Sequence, residues 1–562
     1  MADSEKAMPT TTAAATDGRE SPATDAGVKA KDQWVEDHSS RAHLAAQFTA
    51  WERGLTTWQA ARIYWRTVLW VIYAELAIFG YGIDGVIAGY LTGIPKFTET
   101  YGTPYSEGTV TYIISATWLS IWSGVTQITA IIGALAAGYL ADLIGRKYTN
   151  LIFCLISIAA VGAQYASTRD GSMPILTAGK AINGFSIGAW IVIAPLYASE
   201  VSPLPLRGIM TAATNFIMFC GLLLFNGIMY VLAPMDTDLA YKVPLALQWI
   251  MPVFLASTIV LFPESPVWLI RFGKKERGLK AMKKLYGENS GVDLDGLVAQ
   301  IEEDIEHEKR ESHQTTDNRG YFEVFKKEHR KRTLIAVMAF TFVQASGNIF
   351  VLGYQSYFYQ LIGYSARKSF LITVLVNVIM FIATISSWWG ITVLGRRTLY
   401  VWGELITAIC LFAIGGASVA GTVDAYKAVV GFIFVWAFAY QFTVGTVGFP
   451  LLLEVPALRM RARTQAVANI AMSVTQWVIG FTFPYLFNPD AANLSGKVGF
   501  IYAGLTVLGF LFSFWFLPET KNRSVAELDA LFASGVAPRN FSSYVVDFDE
   551  ENDNAAIVRK KD

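Results

Sequence analysis

The segment Gly138-Tyr139-Leu140-Ala141-Asp142-Leu143-Ile144-Gly145-Arg146-Lys147 closes one apolar run and opens the next, and its end returns later in the chain as Gly395-Arg396-Arg397. Glu200 with Arg207 returns as Glu454 with Arg461, and Pro263-Glu264-Ser265-Pro266 returns as Pro518-Glu519-Thr520, in the same order and at nearly the same spacing. Anchors that recur in order at the ends of apolar runs are the trace of a duplicated membrane domain, an organisation typical of transporters. The second copy of Gly-x-x-x-Asp is degenerate, with Trp388 in the place of Gly138 and Thr392 in the place of Asp142. Its contacts are therefore expected to be the weaker set.

The composition agrees. Of 562 residues 53% are hydrophobic and 16% charged, with a mean hydropathy of +0.38, more apolar than a soluble domain. Runs of roughly 20 residues, enough to cross a hydrocarbon core, begin near Thr67, Ala116, Thr149, Pro174, Ile209 and Val243, and again near Thr333, Ser369, Thr398, Tyr426, Thr464 and Val498. The expected fold is an all-α membrane protein of 12 transmembrane helices in two six-helix, pseudo-symmetric halves, 65–263 and 333–517. A polar N-terminal tail (1–64), a charged linker with helices (264–332) and a C-terminal tail (518–562) complete the chain. Basic residues follow the even-numbered runs, which places the linker and both tails in the cytoplasm by the positive-inside rule. Arg367-Lys368, after the seventh run, does not obey it. The first 60 or so residues lack a signal-peptide pattern, so the first helix is expected to serve as an uncleaved anchor.

Several classes are excluded. A net charge of zero leaves no nucleic-acid footprint. Cys154, Cys220 and Cys410 fall inside apolar runs, while His38, His43, His307, His313 and His329 all lie in polar segments. No metal site, cofactor site or nucleophile-base pair can be assembled in the membrane from them, and an enzyme is not expected.

A charge at membrane depth is a functional candidate by default. Asp84 in the first run and Lys180 in the fourth lie about 10 Å and 9 Å from the outer ends of their helices, so their depths agree. A static ion pair joining the two helices is the alternative to a functional one. Glu75, nine residues before Asp84 and on the opposite helix face, and Glu404 read as interfacial or helix-packing acids. At the helix ends, Arg146, Glu200, Arg207 and Glu264 can make charged hydrogen bonds across neighbouring helices. Paired, they would latch the cytoplasmic face while the outside is open; broken, they would let the halves rock.

Gly138-x-x-x-Asp142-x-x-Gly145-Arg146-Lys147, Glu200 to Arg207, Pro263 to Leu269 and Pro518 to Arg523 resemble the sugar porter branch of the major facilitator superfamily over about residues 67–532. Tyr440-x-x-Thr443-Val444-Gly445, Glu454-Val455-Pro456 and Gln476-Trp477-x-Ile479-Gly480-Phe481 are similar to the fungal maltose and α-glucoside permeases. The resemblance implies the major facilitator fold and a secondary active transporter that takes up an α-glucoside with a proton by alternating access, as a monomer in the plasma membrane. Alternatives are a facilitator or symporter for a hexose, polyol or glycosylated metabolite, and a nutrient receptor built on the same scaffold. It makes Asp84 the proton carrier with Lys180 its partner. It assigns the cytoplasmic gate to Asp142, Arg146, Glu200, Arg207, Glu264, Arg396, Glu454, Arg461 and Glu519. Sugar contacts would come from Asn215, Gln344, Asn348, Asn377, Tyr440, Gln441, Thr443, Phe449 and Gln476, amides, hydroxyls and an aromatic face of the kind that holds sugars. Two departures stand out: Tyr81 and Ala130 occupy positions where the α-glucoside permeases carry further acids.

Overall fold

The computed structural model describes residue 41 and residues 43–105, 111–287, 291–314, 321–326, 329–457, 460–521, 523, 525–548 and 556–560. Among them are 12 helices long and apolar enough to cross a membrane. The first six are α1 (Trp65–Leu91), α2 (Ala116–Ile144), α3 (Arg146–Ala166), α4 (Met173–Val201), α5 (Leu204–Leu232) and α6 (Leu239–Leu261). The second six are α7 (Arg330–Gly353), α8 (Ala366–Leu394), α9 (Arg396–Ala420), α10 (Val423–Leu452), α11 (Arg461–Phe487) and α12 (Ser495–Phe516). Two short antiparallel hairpins, Thr103–Pro104 with Tyr112–Ile113 and Tyr544–Phe548 with Ala556–Lys560, add the described strands.

The repeated glycine motif has a local cause. Gly145 between α2 and α3 has φ +92°, and Gly395 between α8 and α9 has φ +90°, a region that a side chain makes costly. A Cβ at Gly145 would come within 2.3 Å of Glu264 Oε2, and one at Gly395 within 2.6 Å of Glu519 Oε2. Glycine thus lets the chain reverse and admits a carboxylate to the helix start.

Within the first half α4 packs on α1, α2 and α3, and α1 packs on α5; within the second, α10 packs on α8 and α9, and α7 on α11. These pairings correspond under the duplication. Across the halves, α2 meets α11, α5 meets α8, and the end of α1 meets α7. Among the described residues, the side-chain hydrogen bonds between the halves cluster at the end of the bundle remote from the linker. Asn488 Nδ2 donates to the Ile114 carbonyl at 2.8 Å, Asp490 accepts from Ala116 N at 2.9 Å, Gln360 Nε2 donates to the Gly93 carbonyl at 2.5 Å, and the Ser123 and Tyr354 hydroxyls meet at 3.1 Å. The Arg367 guanidinium lies over the Tyr230 ring, 5.6 Å from its centroid, which gives this basic residue a role at the seal. Gly89 of α1 touches the α7 backbone so closely that a Cβ there would sit 1.6 Å from the Gly353 carbonyl oxygen.

The linker end carries more structure than a polar tail and a linker suggest. Residues 43–53 are helical and are followed by the helix Thr57–Ile63, which starts on a Thr56/Gln59 capping box. Phe48, Ala60 and Tyr64 pack with Met282, Leu285 and Ile301 of the linker helices Lys275–Tyr286 and Leu294–Gln314, and with Tyr197 and Val201 of α4. Burial in this layer pushes the Glu52 carboxyl up, against the opposing pull of the Leu204 N–H and the Arg207 guanidinium. On the other half, the helix Val525–Ala533 is tied to α7 by an Arg332–Asp529 ion pair, with the Arg332 guanidinium over Phe532. Within the stretch read from the sequence as an N-terminal tail, residues 43–53 and 57–63 are helical: their few apolar residues lack a core of their own and find one in the linker.

Gly89→Val should force α1 from α7 and loosen the seal. A cysteine placed at Ser123 should then react faster with a membrane-impermeant maleimide added on the side remote from the linker. Unchanged reactivity would show that the Gly89 contact does not hold that side closed.

Candidate functional site

A cavity of about 270 Å³ lies between the halves, walled by α1, α2 and α4 on one side and α7 and α11 on the other. Asp84 and Lys180 line it, and Lys180 Nζ stands 3.4 Å from Asp84 Oδ1 with both side chains almost wholly buried. Two helices bring them together because the residues enter from opposite ends of antiparallel spans at matched depth. Asp84 and Lys180 are the ionisable acid and base of this lining among the described residues. Asn183, one turn from Lys180, is buried nearby with its amide oxygen accepting from Ser157 Oγ at 2.7 Å. Gln476 is on the cavity wall as well, joined by Gln127 of α2 and Tyr354 just past the end of α7, which sequence reasoning did not single out.

The second half supplies an amide cluster where α7 breaks. The regular helix ends at Ala345, Gly347 has φ +87°, and Ile349–Gly353 is a π turn. Asn348 Nδ2 donates to Gln344 Oε1 at 2.8 Å and reaches the Tyr440 hydroxyl at 3.5 Å; that hydroxyl donates to the Val343 carbonyl at 3.1 Å. Three of the expected sugar contacts are thereby gathered. Asn377 is buried on α8, its Nδ2 donating to the Thr373 carbonyl at 3.0 Å, and with Asn226 and Gln355 it surrounds Tyr90 at the sealed end. Asn226 and Gln355 carry no motif and were not expected.

The remaining candidates are scattered. Asn215 is exposed on α5, and Phe449 is exposed and packs edge-on against Phe340. Gln441 is buried just before the break in α10. Thr443 occupies the break itself but turns toward α9, where Gly403 leaves room, and spends its hydroxyl on the Ala439 carbonyl at 2.5 Å. There it lines an outer apolar groove of about 730 Å³ between α8, α9 and α10, away from the inter-half cavity. Thr443 is therefore not among the residues that line the inter-half cavity. Glu75 and Glu404 are not interfacial: both are fully buried, Glu75 accepting from Thr214 Oγ1 at 2.7 Å and Glu404 facing Ser346.

The gate residues form one cluster in each half. Arg146 Nη2 donates to Glu200 Oε1 at 2.5 Å and lies 3.3 Å from Asp142, while Glu264 accepts from the main-chain N–H groups of Arg146 (2.8 Å), Lys147 and Ser265. A carboxylate at a helix start is favoured by the free N–H groups and the helix dipole. Burial pushes the Glu264 carboxyl up, against the downward pull of those N–H groups. In the second half Arg396 pairs with Glu454 at 3.0 Å, and Glu519 accepts from Arg396 N at 2.9 Å. Arg207 is exposed beside Glu52, and Arg461 stands at the start of α11. Among the described residues, the ion pairs of each cluster stay within one half, and both clusters are formed while the remote side is sealed. The charge pairs are thus formed with the remote side closed, where the latch expectation had them paired with the outside open.

The clusters differ in burial. Side-chain exposure is 4% and 13% for Arg146 and Glu200 but 21% and 30% for Arg396 and Glu454. Arg146→Ala leaves a carboxylate buried without its partner and should cost about 3–5 kcal/mol, whereas Arg396→Ala breaks a wetter pair and should cost about 1 kcal/mol or less. Thermal unfolding in detergent checks the order of the two midpoints; equal losses would contradict the asymmetry.

Residues 68–532 match the family model described as sugar (and other) transporter. The chain is 30% identical over 519 residues to the maltose permease MAL61 of Saccharomyces cerevisiae, covering 91% of this chain and 83% of that one. It is also 30% identical over 510 residues to the MFS transporter fmqE of Aspergillus fumigatus, covering 89% and 93%. The inward open xylose transporter XylE of E. coli has the same fold, with a TM-score of 0.65 at 23% identity over 82% of this chain and 98% of its own. Duplicated halves, a cavity between them that holds Asp84, Lys180 and Gln476, and a family match across both halves lead to one conclusion: the chain belongs to the sugar (and other) transporter family and is a multi-pass sugar transporter of the major facilitator type.

Proposed function

We propose that this protein takes up an α-glucoside such as maltose together with a proton, by alternating access in the plasma membrane, with the linker and both tails in the cytoplasm. The observation that carries the reading is the buried Asp84–Lys180 pair, 3.4 Å apart in the wall between the halves. The identity to maltose permeases supports the sugar class. The excess of Lys and Arg at the linker end supports the orientation.

The chemistry follows from the pair. An ionised Asp84 holds Lys180 and so ties α1 to α4. A proton on Asp84 removes that attraction and frees α1, whose outer end forms the seal at Gly89 and Gly353. Proton occupancy is in this way linked to whether the remote side is closed. Sugar hydroxyls would be met by Gln476 on the cavity wall and by Gln344, Asn348 and Tyr440 at the α7 break. Gly347 lets that break carry backbone bends that a regular helix would not. The braced halves then rock as rigid bodies about this site.

A second reading, a facilitator or symporter for a hexose, polyol or glycosylated metabolite, is favoured by one feature. The wall carries Tyr81 and Ala130 where the α-glucoside permeases are expected to place acids, so a scheme needing three carboxylates has no counterpart here. Radiolabelled maltose uptake in cells lacking their own sugar porters, with and without a protonophore, separates the two.

Asp84→Asn keeps the shape and abolishes the titration. Uphill accumulation should be lost while exchange of maltose down its gradient persists, at a rate lowered by the unpaired buried Lys180. Protonophore-sensitive accumulation in this variant would remove Asp84 from coupling. For the sugar contacts, Gln344→Ala or Asn348→Ala deletes hydrogen bonds worth about 0.5–1.5 kcal/mol each, so the apparent KM for maltose should rise about two- to tenfold. Loss of folded protein with an unchanged KM in the remainder would make these residues helix-packing groups instead.

A further inference from the structure

Glu404 of α9 is fully buried, and among the described residues no Lys, Arg or His pairs with it. Its surroundings are hydroxyls. Ser346 Oγ, at the α7 break, lies 3.3 and 3.4 Å from its two carboxyl oxygens, and Tyr400, one turn earlier on α9, is within reach of the same group. Tyr440 of α10 faces it from further off, and α12 presents Gly509. Each hydroxyl has one hydrogen, and for each a carbonyl of α7 stands at hydrogen-bond distance and competes with Glu404 for it. Ser346 donates to Phe342 at 2.7 Å, Tyr400 to Ala339 at 2.5 Å and Tyr440 to Val343 at 3.1 Å. With the Ser346 hydrogen on the Phe342 carbonyl at 2.7 Å, the Ser346 oxygen 3.3 and 3.4 Å from Glu404 is left to accept rather than donate. A carboxylate in this place would be a bare anion at membrane depth, the costliest arrangement open to it. A carboxylic acid supplies the missing hydrogen.

We propose that Glu404 is carried as a neutral carboxylic acid that donates to Ser346 and, as a positioning residue, clamps the break in α7 and so sets Gln344 and Asn348 for the sugar. The first part stands on hydrogen-bond accounting alone; the second rests on the sugar-transport reading. Ser346 lies between Gln344 and Asn348 in sequence, so any shift at Ser346 changes their mutual spacing. The device is separate from the Asp84–Lys180 pair, which belongs to the other half and has its own counter-charge. It also makes substrate affinity sensitive to whatever ionises Glu404, independently of proton coupling.

The test uses the full chain in lipid nanodiscs. Infrared spectra should show a protonated-carboxyl carbonyl component that persists to mildly alkaline pH, survives Asp84→Asn and Glu75→Gln, and is lost in Glu404→Gln. An identical band in Glu404→Gln and the unaltered protein would overturn the neutral acid. Uptake supplies the second arm. Glu404→Gln, whose amide can donate in the same direction, should keep the maltose KM within about twofold, while Glu404→Leu, which cannot, should raise it about three- to tenfold with a smaller change in maximal rate. Raising the pH until the band is lost should raise the KM of the unaltered protein and leave that of Glu404→Gln flat. A Gln variant as impaired as the Leu variant would overturn the clamp. The infrared arm needs no substrate, so failure of the neutral acid and failure of the sugar reading give different results.

Discussion

Hydrocarbon offers no water to a polar group, so whatever this chain buries in the membrane must find its partner within the protein. That constraint organises the bundle. Hydroxyls inside the helices donate back to carbonyls one turn earlier, as Thr126 does to Trp122, Thr373 to Ser369 and Ser418 to Ile414. Charges are few and each is answered locally: Asp84 by Lys180, and Glu75 by the Thr214 hydroxyl. Glu404 is answered by the hydroxyl oxygens around it. Of these three acids, only Asp84 is met by an opposite charge; the other two are met by hydroxyls.

At the linker end the demand relaxes, because water is near, and charge becomes a bracing material. Glu264 and Glu519 sit at the starts of α3 and α9, where free N–H groups converge, and each needs a glycine joint to come so close. The bond pattern is the same in both halves but the burial is not. The Asp142 partner of the first cluster has been replaced by Thr392 in the second, whose hydroxyl is spent on the Trp389 carbonyl. Duplication has kept the backbone device and let one of the charges lapse.

The seal on the remote side uses other means: backbone against backbone at Gly89 and Gly353, carbonyls capped by Asn488 and Gln360, and a guanidinium over Tyr230. These contacts are short, neutral for the most part, and distributed over α1, α2, α5, α7, α8 and α11. A surface of many modest contacts can part and re-form more readily than a buried ion network, which suits the face at which the two halves separate. The contrast with the charge-braced units on either side matches the rigid-body motion expected of such halves.

The duplication, the number of spans and their starts were legible in the sequence because apolar run length and glycine-charge anchors depend on local chemistry alone. The starts near Ala116 and Val498 coincide with α2 and with the regular part of α12. The meeting of Asp84 and Lys180 was legible too, since equal depth on antiparallel helices leaves few other partners. What the sequence could not show is which side of a helix faces a neighbour across the halves. Thr443 looked like a cavity residue from its motif, yet the break in α10 turns it toward Gly403, and Gln127 and Tyr354 reached the cavity with no motif to announce them. The same holds for the folded part of the N-terminal tail, whose few apolar residues acquire a core only when the linker helices lie against them. Nor could it reveal that the hydroxyls around Glu404 lie within hydrogen-bond distance of carbonyls of α7. Period and composition are properties of one segment, whereas a hydrogen bond spent elsewhere is a property of three helices at once, and only the tertiary structure decides it.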